Sequence, residues 1–165
     1  MMKSLSRKNI IFGALRWSIV IAFAVLLIVL ASQNKISKAA MEDVSAAVSE
    51  SIDLNKMKKG SESTFKRLYG LDSAAFESVV LYWPASNMDA QELLVVQLKD
   101  LSQQEQVKEA IAARLATQKK SFDGYGVEQY ALLSDSFITD VQGNYILFVV
   151  HEECAKADSA FREAL

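Results

Sequence analysis

The sequence predicts an α+β fold, a two-layer domain with a mainly antiparallel sheet of about four strands covered by helices and preceded by one N-terminal transmembrane helix. Three observations carry this expectation. An apolar block from Ile10 to Ala31 contains a single charge, Arg16. Beyond it, short runs rich in Val, Leu, Ile and aromatic residues have strand length, and two of them flank Gln142-Gly143-Asn144 in hairpin fashion. Interleaved with these runs are segments whose apolar residues recur at three- and four-residue steps.

The block Ile10 to Ala31 spans 22 residues, and at a rise of about 1.5 Å per residue it covers roughly 30 Å of hydrocarbon. Arg16 lies near its N-terminal end, where the side chain can snorkel toward headgroups beside the Trp17 indole. Lys3, Arg7, Lys8 and Arg16 outnumber Lys35 and Lys38 on the two flanks, which places the N-terminus in the cytoplasm and the rest outside. A retained anchor is the preferred reading. The alternative is a signal peptide processed after Val29-Leu30-Ala31, since Trp17 to Ala31 is short and a basic region precedes it. The organisation follows: a basic cytoplasmic tail over 1–9, an anchor over 10–31, a linker over 32–40, and an extracytoplasmic domain over 41–165.

In that domain Val44, Ala47, Val48 and Ile52 mark a helix from Met41, and Met57 is expected to plug the core. Ser61 to Gly70 predicts a shorter helix with Phe65, Leu68 and Tyr69 inward and Gly70 as a left-handed cap. Ala75 to Trp83 predicts a strand that Pro84 ends, and Glu92 to Leu98 a second. Ser102-Gln-Gln-Glu105 reads as a capping box for a helix carrying Val107, Ile111, Leu115 and Phe122. The charged and Gln-rich remainder of that helix, with the Arg114 to Gln118 pair, reads as a solvated face. Gly124 and Gly126 break it, Val127 to Leu133 adds one or two turns, and Ser136 to Val141 with Tyr145 to Val150 form the hairpin. Glu153 to Leu165 closes the chain as a helix on the sheet.

Composition removes whole classes of function. At 165 residues, 51% hydrophobic and 23% charged, the chain holds one domain rather than a large multidomain enzyme. Its mean hydropathy of +0.12 comes largely from the apolar block. All 20 Asp and Glu, but only 14 of the 18 Lys and Arg, lie beyond residue 31, so the exported part is acidic by six charges and a nucleic-acid partner is disfavoured. One Cys excludes an intramolecular disulfide scaffold, and because that residue is Cys154, no Cys stands directly after the apolar block to accept a lipid.

The segment from about Asp53 to Leu165 resembles a bacterial domain-of-unknown-function family found chiefly in clostridia and related Gram-positive bacteria. Its features here are Leu68-Tyr69-Gly70-Leu71-Asp72, the strand ending at Tyr82, Glu92, Arg114 with Gln118 and Phe122, Tyr125 with Glu128-Gln129-Tyr130, and Gly143-Asn144-Tyr145. The resemblance implies an exported α+β domain attached to the membrane or lipidated. It implies no activity, ligand or catalytic residue.

The candidate ligand-binding residues are Arg114, Tyr125 and Tyr130. Arg114 sits toward the Ile111/Leu115 side of its helix, where a guanidinium can pair with a carboxylate or receive an anion, and structural pairing is the plainer reading. Tyr125 and Tyr130 flank a glycine-rich break and could line a groove for peptide or glycan, although tyrosines in such places commonly cap a core. His151-Glu152-Glu153-Cys154 lacks the second His or Cys that a zinc site wants and has no HExxH spacing, so no metal or cofactor is expected. Asp89, Glu92, Asp100, Asp135 and Asp140 are carboxylates without a legible pairing, and no GxSxG, GxGxxG or P-loop pattern is present. The expected role is an envelope-facing binding or accessory domain whose partner is an envelope protein or cell-wall component. An envelope hydrolase and a structural tether are the alternatives.

Overall fold

The computed structural model describes residues 16–23, 25 and 36–165. The chain divides into two units, Met1–Lys35 and Ile36–Leu165. In the first, residues 16–23 and 25 are helical and expose Trp17, Ile19, Val20, Ile21, Phe23 and Val25. Most of the expected span over 10–31 lies outside the described residues, and among those described no helix is long and apolar enough to cross a membrane.

The second unit is an α+β domain. Helix α1 (Met41–Glu50) leads to strand β1 (Met57–Lys59) and helix α2 (Glu62–Tyr69). A 3-10 turn (Ser73–Ala75) precedes β2 (Ser78–Pro84) and β3 (Glu92–Gln97). Then come α3 (Gln104–Phe122), α4 (Val127–Asp135), β4 (Phe137–Gln142), β5 (Tyr145–Val150) and α5 (Cys154–Glu163). The sheet has five strands in the order β1-β2-β3-β5-β4, each pair antiparallel. The additional strand is β1. Met57 is buried in the core as expected, but its neighbours Lys58 and Lys59 are exposed, and three residues with one apolar side chain give almost no strand signal.

Helices cover both faces of the sheet, which corrects the two-layer expectation. Leu94 and Val96 of β3 with Ile146, Phe148 and Val150 of β5 face Phe65 of α2, Val107, Ile111 and Phe122 of α3, and Leu133 of α4. Leu93 and Val95 with Tyr145, Leu147 and Val149 face Met41, Val44 and Val48 of α1 and Ala157 and Phe161 of α5. The reason is visible in the two central strands: Leu93 to Val96 and all of β5 are buried without alternation, so neither face could be left to water. Each large apolar side chain so buried contributes about 1.5–3 kcal/mol.

Local signals set most boundaries. Ser61 Oγ accepts the Thr64 N–H at 3.3 Å to start α2, and Gly70 ends it at φ +71°. Gly143 opens the β4–β5 turn at φ +57°, the sign a type II′ hairpin needs at its first turn position. The α3 cap lies earlier than Ser102. Asp100 Oδ1 accepts the Ser102 N–H at 2.8 Å while Gln103 Oε1 accepts the Asp100 N–H at 3.2 Å, around a 3-10 turn over Leu101–Gln103 that feeds the helix. Asp100 takes the role because its backbone is still extended, at φ −141° and ψ 139°, which leaves its carboxylate beside the free amides of the turn.

The start of the domain is tied down at one end of the sheet. Ser37 donates its N–H to Asn144 Oδ1 at 2.8 Å and its hydroxyl to the Leu165 carbonyl at 3.1 Å, and Tyr145 Oη donates to the Ala39 carbonyl at 2.7 Å. Ser37 and Ala39, read from sequence as linker, are therefore bound to the domain. Because Tyr145 pairs with Gln97 and Val150 with Glu92, the chain enters at the end of the sheet opposite to Glu92.

Candidate functional site

Glu92 opens β3, and the period of two along a strand puts its side chain on the same face as Leu94 and Val96, under α3. There it is completely buried. Four donor atoms from three side chains converge on it. Arg114 Nε lies 3.2 Å from Oε1 and 3.1 Å from Oε2, and Arg114 Nη2 lies 2.6 Å from Oε2. Gln118 Nε2 donates to Oε2 at 3.1 Å, and the Tyr69 hydroxyl at the end of α2 donates to Oε1. Arg114 and Gln118 are one helical turn apart, which is why a single carboxylate can take both.

This arrangement makes a buried ion affordable: the desolvation of Glu92 is offset by charge-assisted bonds from a guanidinium and two neutral donors. It also fixes the neighbours. The Gln118 amide must turn its nitrogen to the carboxylate, because the opposite orientation would set two oxygens together. Gln118 Oε1 is then enclosed without a hydrogen-bond partner among the described residues. Burial pushes the Tyr69 hydroxyl pKa well up, and the adjacent Glu92 charge raises it further, so Tyr69 stays a proton donor across the physiological range.

Arg114 and Gln118 are thus inside the protein, not on a solvated face. The Arg114 side chain is 13% exposed, and what it shows opens into a cleft of about 320 Å³ bounded by α2, the end of β2, the following loop and the C-terminal half of α3. Arg67 and Leu68 form one wall, Trp83 and Pro84 another, and Ser121, Phe122 and Tyr125 the far side, with Asn87 and Asp89 on the loop. Arg67 Cζ lies 5.1 Å and Lys58 Nζ 4.3 Å from the Trp83 ring centre. A second hollow of about 380 Å³ shares Phe122 and Tyr125 and runs on to Met88, Val127 and Glu128. Gln129 Oε1 accepts the Ala90 N–H at 3.0 Å and so ties α4 to the loop that edges both hollows.

Of the three residues singled out from sequence, Arg114 forms the cleft floor and Tyr125 stands 65% exposed between the two hollows. Tyr130 is 41% exposed on α4 and lines neither. Tyr69 and Glu92 complete the network, but nothing in their spacing announces it: 23 residues separate them in sequence, and their meeting depends on which face of β3 α2 and α3 cover.

His151 is buried and structural. Its Nε2 lies 3.2 Å from the Asp53 carbonyl and its Nδ1 accepts the Glu153 N–H at 3.0 Å, so both ring nitrogens are occupied by backbone. Cys154 is half-buried and packs on the α1/α5 side of the core. Among the described residues no group of three or more His, Cys, Asp or Glu side chains is placed to hold a metal ion.

A family model described as a domain of unknown function, DUF4358, matches residues 50–151. The chain belongs to the DUF4358 family. The DUF4358 segment contains Tyr69, Glu92, Arg114, Gln118 and the whole lining of both hollows, while α5 and nearly all of α1 fall outside it. It stops at His151, short of the Leu165 boundary expected from the resemblance. No curated protein and no solved structure matches the chain.

Proposed function

We propose that this chain is a membrane-anchored, extracytoplasmic binding or accessory domain of a bacterial cell envelope, with its recognition site in the cleft over Arg114. The anchor rests on the apolar block over 10–31, interrupted only by Arg16, and on the excess of cations before it. Its described helical residues expose Trp17, Ile19, Ile21 and Phe23, side chains suited to lipid. Binding rather than catalysis rests on one observation. Glu92, the carboxylate bonded to the Arg114 floor, is fully buried and takes hydrogen bonds from Tyr69, Arg114 and Gln118. It has neither the access nor the free lone pairs of a general base, so the network's product is a rigidly held guanidinium beneath an aromatic-walled hollow.

Trp17 and Trp83 are the two tryptophans of the chain. In the full chain carrying Trp17→Phe, held in lipid nanodiscs, indole emission therefore reports on the cleft wall alone. Soluble cell-wall fragments and synthetic peptides copying exposed envelope segments are expected to shift that emission saturably, and Tyr125→Ala to weaken the effect. Protease treatment of oriented membrane vesicles should leave residues 1–31 in an intact, membrane-bound fragment and digest the domain from the outer side. A flat titration with every fragment would remove the binding role, and recovery of a chain beginning near Ser32 would remove the anchor.

A further inference from the structure

We infer that the cleft over Arg114 selects a peptide segment ending in a free carboxylate, with the apolar side chain of its last residue laid against Trp83 and Tyr125. This inference rests on the binding role above and specifies its ligand.

Two guanidinium groups border the cleft, and they are differently engaged. Arg114 gives Nε and Nη2 to Glu92 and is held in place by it, with Nη1 outside those bonds. Arg67 lies over the Trp83 ring, with Cζ 5.1 Å from its centre, and has no carboxylate partner among the described residues. A planar guanidinium on a flat indole presents its edge to a planar anion, and a carboxylate matches that fork. The charge of the ligand is limited by the same site. Lys58 over the Trp83 ring is a third cation beside Arg67 and Arg114, and Asp89 on the lining and Glu92 beneath it offset two of the three, so a monoanion fits better than a phosphate dianion.

A donor is also wanted. Gln118 borders the cleft and its Oε1 is an acceptor without a partner, enclosed in the floor rather than open to the hollow, so its unmet bond costs free energy that a ligand N–H relieves only as the floor opens to it. The last residue of a peptide carries an amide N–H next to its carboxylate, which supplies donor and monoanion together. Trp83, Phe122 and Tyr125 supply the flat apolar walls for its side chain, and about 320 Å³ is room for one or two residues, not for a folded partner.

The test uses the full chain with Trp17→Phe in nanodiscs, titrated with N-acetyl-Ala-Leu and N-acetyl-Ala-Phe as free acids and as C-terminal amides, with inorganic phosphate as competitor. Emission and calorimetry are read in parallel. Free acids are expected to bind at least about tenfold more tightly than amides, with Arg67→Ala erasing that ratio and Arg67→Lys keeping part of it at unchanged melting temperature. Phosphate should compete poorly. Equal binding of acid and amide would overturn the carboxylate assignment, and phosphate competing as well as the acids would make this a general anion site. Should neither peptide form bind while cell-wall fragments still shift Trp83 emission, the peptide inference fails and the binding role stands. Should nothing shift it, both fail.

Discussion

Arg114 Nη2 lies 2.6 Å from Glu92 Oε2 beneath the cleft, with the carboxylate wholly buried and the guanidinium side chain 13% exposed. One partner is inside the core and the other bridges core and solvent, so the pair converts a buried charge into a positioned surface cation. Removing either member strands the other. Glu92→Leu and Arg114→Leu are each expected to lower stability by about 3–5 kcal/mol, and the double substitution to recover much of the loss. Recovery should be incomplete, because Tyr69 and Gln118 also lose their acceptor. Thermal and urea unfolding of the four proteins checks this, and simple additivity of the two losses would show that the pair is not coupled.

Tyr69 gives the network a signature at alkaline pH. Its hydroxyl pKa is raised above the ordinary value near 10, first by burial and then by the Glu92 charge. A raised folded-state value means that its contribution to stability is complete below about pH 10 and is lost as pH climbs through the folded value. Phenolate absorbance should show two tyrosines titrating late, Tyr69 and Tyr145, and Tyr69→Phe should remove one of them. Stability of the Tyr69→Phe variant should be lower by about 1–3 kcal/mol at neutral pH and decline less steeply above pH 10. Equal slopes for the two proteins would remove Tyr69 as the titrating group.

Two glycines separate backbone strain from crowding at the cleft. At Gly70, with φ +71° and no atom within 4 Å of an added Cβ, Ala should cost about 1 kcal/mol through strain alone and leave ligand binding intact. At Gly126 the backbone is unstrained, but an added Cβ would come within 2.5 Å of Phe122 Cδ1. Gly126→Ala should force the Phe122 ring aside, at about 1–3 kcal/mol, and alter Trp83 emission or its response to ligand because Phe122 lines the cleft. Unfolding midpoints and titrations of both variants distinguish the two mechanisms.

Asp158 on α5 is a neutral-pH liability. Burial raises its pKa from the ordinary carboxylate value, Asp140 adds repulsion, and Arg162, 3.0 Å away, offsets part of it. With a raised folded value, the favourable contribution of the protonated form is full below about pH 4 and lost as pH rises through that value. Asp158→Asn is therefore expected to be neutral or stabilising by up to about 1 kcal/mol at pH 7, with the gain vanishing toward pH 4. A large loss at pH 7 would mean that the Arg162 pair outweighs the burial cost.

Much of the architecture is written in local chemistry. The Ser61 cap, the Gly70 stop, the Gly143 turn and the apolar spacing of α1, α2 and α3 each act within a few residues, so composition and period reveal them. The unbroken burial of Leu93 to Val96 and of Tyr145 to Val150 also had a local sign, an absence of polar alternation that calls for cover on both faces. Gln118 is the instructive failure. On the helix it occupies a polar-looking position between Thr117 and Lys119, and only the carboxylate arriving from β3 makes that position interior.

The sequence by itself determined an α+β chain with an apolar N-terminal block, an acidic remainder and most element boundaries, because solvent preference, helix caps and turn angles act over one or two turns of chain. The tertiary structure alone decided the fifth strand's place, the cover on both sheet faces and the meeting of Tyr69, Glu92, Arg114 and Gln118. Those depend on strand register, where a shift of one residue turns Glu92 to the opposite face and dissolves the site.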